Sequence, residues 1–238
     1  MPAKEIINVI KNNQQRFHPV VPFDPIKDKL LKLDFTKNNP EITDDILNDT
    51  AKFSSYINGK INTANAKYGI GGYGEHRTVY SRSKIFDADK TGEEPRRVHL
   101  GIDIWGKPYT KVMAPLDGII HSYAFNDGFG NYGATIILSH FLNEFTFYTL
   151  YGHLSLSSIK NIHEGDKLNA GDVFAEFGIS IENGHWPPHL HFQIIFDIGE
   201  WKGDYPGVCK YSEREKYLDN CPDPDLILQM MNTAKSTG

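Results

Sequence analysis

His189-Leu190-His191-Phe192 opens an apolar run of strand length that continues through Gln193-Ile194-Ile195. Side chains two apart on a strand share one face, so both imidazoles point the same way. Two histidines side by side on a buried β face would each need hydrogen-bond partners and would together resist protonation. A metal or a reacting substrate accounts for such a pair better than a structural role. Comparable apolar runs stand at Thr135 to Leu138, Phe145 to Leu150 and Val173 to Phe177, separated by turns such as Asn126-Asp127-Gly128 and Glu164-Gly165-Asp166. Many short strands with glycine-containing turns predict a mainly β fold with an antiparallel sheet as its core.

Upstream lies His99-Leu100-Gly101-Ile102-Asp103. The spacing of four is even, so in an extended segment the two side chains fall on one face. Imidazole nitrogen and carboxylate oxygen are both good zinc ligands. With one histidine of the His-x-His pair they make three protein ligands, which leaves the fourth position open and marks a catalytic site. A structural zinc site is closed by four ligands, often cysteines, and no cysteine stands near these motifs. A third segment, Tyr151-Gly152-His153-Leu154-Ser155, adds another histidine between the two. Taken singly each motif is weak: His-x-His is common by chance, and a lone histidine is more often a satisfied core or surface residue. Their combination, in this order and within a β-rich segment, is what carries weight.

The stretch from His99 to Ile195 resembles the lysostaphin-like, LytM-type zinc metallopeptidases, whose motifs are His-x-x-x-Asp, a Tyr-x-His-Leu-Ser-like segment, and His-x-His-Phe. Val112 to Ile120 and Gly165 to Asp172 are similar to the family's intervening strand and hairpin, and Gly178 to the glycine that closes it. The resemblance implies the duplicated hybrid-motif type of β core and assigns His99, Asp103 and His191 as ligands of Zn2+. It assigns His153 and His189 as the catalytic histidines beside the metal, without saying which is the general base. It implies a metalloendopeptidase that hydrolyses an amide bond in peptidoglycan or a related peptide. A finer resemblance, in Pro95 to Asp103, Asn183 to Gln193 and Gly203 to Gly207, is to the peptidase-like domain found fused to class III aminotransferases. That branch is not obviously a cell-wall enzyme, which keeps open a cytosolic zinc hydrolase of small peptides or conjugates. A non-catalytic binding or activator module would be expected to have lost ligands. A histidine phosphocarrier would not need Asp103 at ligand spacing.

The remaining sequence frames this segment. The 238 residues are 39% hydrophobic and 23% charged, with a formal net charge of -5. That composition suits a globular chain and lacks the concentrated basic surface of a nucleic-acid binder. No apolar run approaches the ~18 residues needed to span a bilayer. The polar N-terminus lacks the apolar region of a secretory signal, so a cytoplasmic location is expected, the alternative being an exported protein whose leader has been removed. Residues 1–70 read as a helical N-terminal extension packed on the core. In it Ile6 to Ile10 suggest one helix, and Ile46, Leu47, Phe53 and Ile57 suggest a second, N-capped by Thr43. The extension is expected to wall or partly cover the cleft. Residues 71–205 read as the zinc metallopeptidase domain and 206–238 as a C-terminal tail with a short helix near Leu226 to Met231. Tyr73, Arg77 and His185 are candidate substrate-binding residues, Arg77 through a bidentate pair with a carboxylate. His18, His121, His140 and His163 have no partner motif and read as structural or exposed. Cys209 and Cys221 read as buried or free thiols, with a single bridge as the alternative. The sequence leaves the oligomeric state open.

Overall fold

The computed structural model describes residues 3–88 and 92–236. A nine-stranded sheet forms its centre. In spatial order its strands are Ala234–Ser236, Leu30–Lys32, Tyr68–Gly71, Ile102–Trp105, His189–Ile195, Phe145–Leu154, Gly133–Leu142, Gly118–Asn126 and Lys167–Leu168. The pairs are antiparallel from Tyr68–Gly71 onward, and the three strands at the other edge are parallel. The fold is therefore mainly β, and the parallel edge is a feature that the antiparallel expectation lacked.

The strand His189–Ile195 shows how sequence sets the layers. Leu190, Phe192 and Ile194 alternate onto one face and join the principal apolar core. His189, His191 and Gln193 take the opposite face, and all seven residues are buried. Because both neighbours on this strand are paired, no edge is exposed there. Its antiparallel register with Ile102–Trp105 sets His191 opposite Asp103 and His189 opposite Trp105.

Helix Ala3–Asn12 buries Ile6 and Ile10, one turn apart. The second apolar pattern falls on two helices rather than one. Thr43 caps Asp44–Leu47 by accepting from the Ile46 amide, and Asp49 caps Thr50–Thr63 by accepting from Ala51 and Lys52. The Asp49 carboxylate takes amides that a continuous helix would bond to backbone carbonyls, so a new helix starts there. Phe53 and Ile57 then pack with Phe35, Trp105 and Trp186 in a second apolar cluster. Among the described residues no helix is long and apolar enough to cross a membrane.

The segment read as a tail enters the β structure. Val208–Lys210 pairs antiparallel with Arg96–His99, and a helix that the sequence reading had not anticipated, Arg214–Asn220, follows. The short helix expected near Leu226 is Asp225–Leu228. Cys209 and Cys221 are buried free thiols in a third cluster with Val98, Leu100 and Ile195. Burial pushes both thiols up to about 12.

Candidate metal centre

His99, Asp103 and His191 converge from three strands with one donor atom each, all within 4.8 Å of one another. His99 and Asp103 do not share one extended segment, as their even spacing suggested. His99 ends the strand Arg96–His99, the chain bends at Leu100-Gly101, and Asp103 lies on Ile102–Trp105. The bend requires Gly101: a Cβ there would sit 2.5 Å from His191 Cε1 and 2.8 Å from the Phe192 carbonyl oxygen.

Hydrogen bonds outside the triad fix which nitrogen of each ring faces inward. His99 donates from Nδ1 to the Gly72 carbonyl at 3.0 Å, which leaves the Nε2 lone pair facing the centre. His191 donates from Nε2 to Gln193 Oε1 at 2.9 Å, leaving Nδ1. The amide orientation of Gln193 is set in turn by its Nε2, which donates to the Pro206 carbonyl and to Cys221 Sγ. The inward atoms are then two unprotonated nitrogens and a carboxylate oxygen. His99 Nε2 and His191 Nδ1 are 2.9 Å apart, and Asp103 Oδ1 is 3.3 Å from the first and 3.2 Å from the second. Three lone pairs this close repel unless a cation lies between them. Ligands at ~2.0–2.2 Å around a tetrahedral ion stand roughly 3.3 Å apart, so the donor set and its spacing fit a small divalent cation.

Charge supports the same reading. Burial, and then the nearby Arg77 guanidinium, pushes His99 down to about 4. Burial alone would raise the Asp103 carboxyl, but His99 and Arg77 hold it well below the usual carboxylate range. Arg77 bonds the outer oxygen of that carboxylate, Oδ2, through Nη1. The carboxylate is thus ionised, oriented, and left with Oδ1 for the centre.

His153 and His189 flank the triad with ring centroids 4.1 Å apart. A register shift opposite Ala134 and Ile136 bulges the end of Phe145–Leu154, and His153 adopts a left-handed backbone there, with φ 63°. A bulge of this kind re-aims a side chain, and strain in it is a recurrent mark of functional sites. His153 donates from Nδ1 to the Asn183 carbonyl at 2.8 Å, and His189 from Nδ1 to the Pro187 carbonyl at 2.8 Å. Both therefore present an unprotonated Nε2, and that of His189 is 3.9 Å from Asp103 Oδ1. Burial pushes His189 down to about 4, and burial followed by the His189 charge holds His153 well below its ordinary value. Trp105 stacks on the His189 ring at 3.9 Å.

Asp103, His191, His153, His189 and Trp105 line a cavity of about 220 Å³, which also involves Tyr80, Tyr132, Trp186 and Asp204. The extension does not form its wall, because the lining begins at Arg77. Residues before it back the cavity, with Phe35 and Phe53 packed behind Trp105 and Trp186. Of the three substrate candidates only Arg77 lines the cavity. Its Nε and Nη1 are committed to Glu75 and Asp103, so the bidentate pairing expected from sequence is not available. Tyr73 is turned away and donates to the Cys221 carbonyl. His185 is exposed and stacks on Phe129. Sequence reasoning passed over Tyr132, whose hydroxyl is 3.4 Å from His191 Nε2, and Trp105, whose register opposite His189 follows from the strand pairing. Neither carried a motif signal.

The family model for peptidase family M23 matches residues 97–202. Among solved structures, the chain is similar to a zinc-containing peptidase from Vibrio cholerae (23% identity over 41% of this chain, TM-score 0.33). It spans only 27% of that protein's length. It is also similar to the catalytic domain of the antimicrobial peptidase lysostaphin from Staphylococcus simulans (22% identity, 68% of this chain and 97% of that one, TM-score 0.36). A third is a mutant catalytic domain of the prophage-encoded M23 protein EnpA from Enterococcus faecalis (21% identity, 51% of this chain and 88% of that one, TM-score 0.35). A search of curated proteins finds no match. Residues 97–202, the stretch that holds the triad and both flanking histidines, match the model of peptidase family M23, which supports a lysostaphin-like, LytM-type family for this segment.

Proposed function

We propose that the chain is a zinc-dependent amide hydrolase of peptides, with zinc held by His99, Asp103 and His191. The observation that carries this reading is the outward hydrogen bonding of the rings, which leaves two imidazole lone pairs meeting one ionised carboxylate in the triad and two more unprotonated imidazole nitrogens on the rings beside it. A bound zinc would supply a Lewis acid that polarises the scissile carbonyl and activates water near neutral pH.

The protein's own part is proton transfer and orientation. His153 and His189 both rest with Nε2 unprotonated, so either can take a proton from the attacking water. Once protonated, the same Nε2–H can bond the developing oxyanion or pass its proton to the leaving amine. The Asn183 and Pro187 carbonyls hold the two rings in the required tautomer, and the Trp105 stack fixes the plane of His189. Tyr132, kept neutral by burial, offers a hydroxyl beside the triad.

Peptidoglycan and its fragments are the substrate class that the family suggests. The small, aromatic-walled cavity favours short soluble peptides or conjugates over intact wall. The test sets turnover of soluble stem tetra- and pentapeptides, followed by mass, against dye release from purified sacculi at matched zinc-loaded enzyme. Dye release without cleavage of any soluble peptide would return the protein to wall remodelling.

A further inference from the structure

Among the described residues, the buried side-chain polar atoms without a protein partner are all donors: Arg77 Nη2, Arg82 Nε and Nη1, and the indole Nε1 of Trp105 and Trp186. Such atoms are rare in folded proteins, and each calls for an explanation. Here they gather in one place. Arg77, Trp105 and Trp186 line the cavity beside the triad, and Arg82 lays its guanidinium over the Trp186 ring, 4.7 Å from the centroid. Donors without acceptors specify an occupant rich in acceptors.

Arg77 is the best built of these. It is 1% exposed. Its Nε bonds Glu75 at 3.1 Å, its Nη1 bonds Asp103, and the Phe35 ring lies 5.2 Å from its guanidinium carbon. With the group held on these sides, Nη2 is fixed in place and uncommitted, the arrangement expected of a recognition group set before the ligand arrives. Electrostatics gives the sign of the ligand. Two arginines, Arg77 and Arg96, and two aspartates, Asp103 and Asp204, line the cavity, so a divalent cation on the triad turns the lining net positive. Size gives its scale, since about 220 Å³ is below the ~300–1,000 Å³ of sites for drug-sized ligands.

We propose that the cavity receives the free carboxylate of a substrate's C-terminal residue, anchored by Nη2 of Arg77, and that the bond cleaved is the amide joining that residue to the rest of a short peptide. This rests on the amide-hydrolase reading above. Water adds its oxygen to the carbonyl carbon, the C–N bond breaks, and the amine of the released residue takes the proton.

The test compares hydrolysis, by zinc-loaded protein, of blocked tripeptides that differ only in ending as carboxylate or carboxamide. The carboxylate form is expected to be favoured about tenfold or more in kcat/KM, chiefly through KM. In Arg77→Lys with zinc content verified, the ratio should fall towards one, and Trp186→Phe should lower it in part. Equal use of the two peptides by the wild type would overturn the proposal. So would an Arg77→Lys variant that slows both alike and keeps the ratio, since that is the behaviour of a residue serving only to hold Asp103. If neither peptide is cleaved, the hydrolase reading fails by itself. Calorimetric titration of the wild type and Trp186→Phe with N-acetyl-alanyl-alanine and its carboxamide then decides the ligand class. Selective binding of the carboxylate that weakens in the variant supports it, and equal binding overturns it.

Discussion

Nε2 of His99 and Nδ1 of His191 face each other at 2.9 Å, and the proton of each ring is committed elsewhere, to the Gly72 carbonyl and to Gln193. Two lone pairs so placed, with Asp103 Oδ1 beside them, store repulsion that a cation relieves. The wild type is therefore expected to bind one zinc per chain and to gain stability from it, about 4 kcal/mol at a free concentration a thousandfold above Kd. His191→Ala should lose most of that zinc by elemental analysis, together with the zinc-dependent rise in Tm. A variant with wild-type zinc content would refute the ligand set.

Among the described residues the donor atoms that lie within 4.8 Å of one another are those of His99, Asp103 and His191, and His153 and His189 stand outside that set. His153→Ala and His189→Ala should keep their zinc and lose activity by ~100- to 10,000-fold, the range for a general acid or base. Turnover of a chromogenic or mass-resolved peptide, with zinc measured on the same samples, checks both halves. Loss of metal in either variant would transfer that residue to the ligand set.

The five histidine and aspartate positions were legible in the sequence because strand periodicity and motif order act locally. His189 and His191 sit two apart on a strand, and the structure puts them on one face with Asp103 across from the second. The route by which His99 meets Asp103 was not legible, because it depends on a bend at Gly101 that an even count cannot distinguish from an extended run. The parallel edge strands Leu30–Lys32 and Ala234–Ser236 were missed for a related reason: each is three residues long, too short for alternation to show. Arg77 and Trp105 carry no local signal at all. One is defined by an ion pair across 26 residues and the other by a cross-strand stack, and both exist only after the sheet has formed.

Gly101 offers a way to disturb the centre without altering any ligand. An added Cβ would lie 2.5 Å from His191 Cε1 and 2.7 Å from its Nε2, with a backbone oxygen at 2.8 Å closing the other side. Neither neighbour can yield cheaply, because His191 lies in a fully buried strand. Gly101→Ala should therefore weaken zinc binding by ~10- to 100-fold, the range seen when groups that orient ligands are lost, and should lower stability by ~1–3 kcal/mol through overpacking. Zinc affinity by competition with a chelating dye is the direct measure. An unchanged affinity would mean that the bend is softer than its contacts imply.

The last expectation concerns acid, and it is carried by a histidine outside the site. His140 is buried, donates from Nδ1 to the Asp117 carbonyl at 3.0 Å, and has its Nε2 2.7 Å from the Thr149 hydroxyl oxygen. Burial disfavours the charged ring and pushes its pKa down to about 4 against an ordinary 6.5. The unfolded chain therefore takes up this proton first as the pH falls. The stability contributed by the neutral ring is fully present above pH 6.5 and drains away between 6.5 and about 4. A difference of that size corresponds to roughly 3 kcal/mol. Denaturant titrations of wild type and His140→Gln, both stripped of metal so that the triad enters equally, should converge in relative stability as the pH drops from 7.5 to 4.5. Wild type should lose about 3 kcal/mol more than the variant across that window. Parallel pH profiles would show that His140 is protonated in the fold at no greater cost than in water.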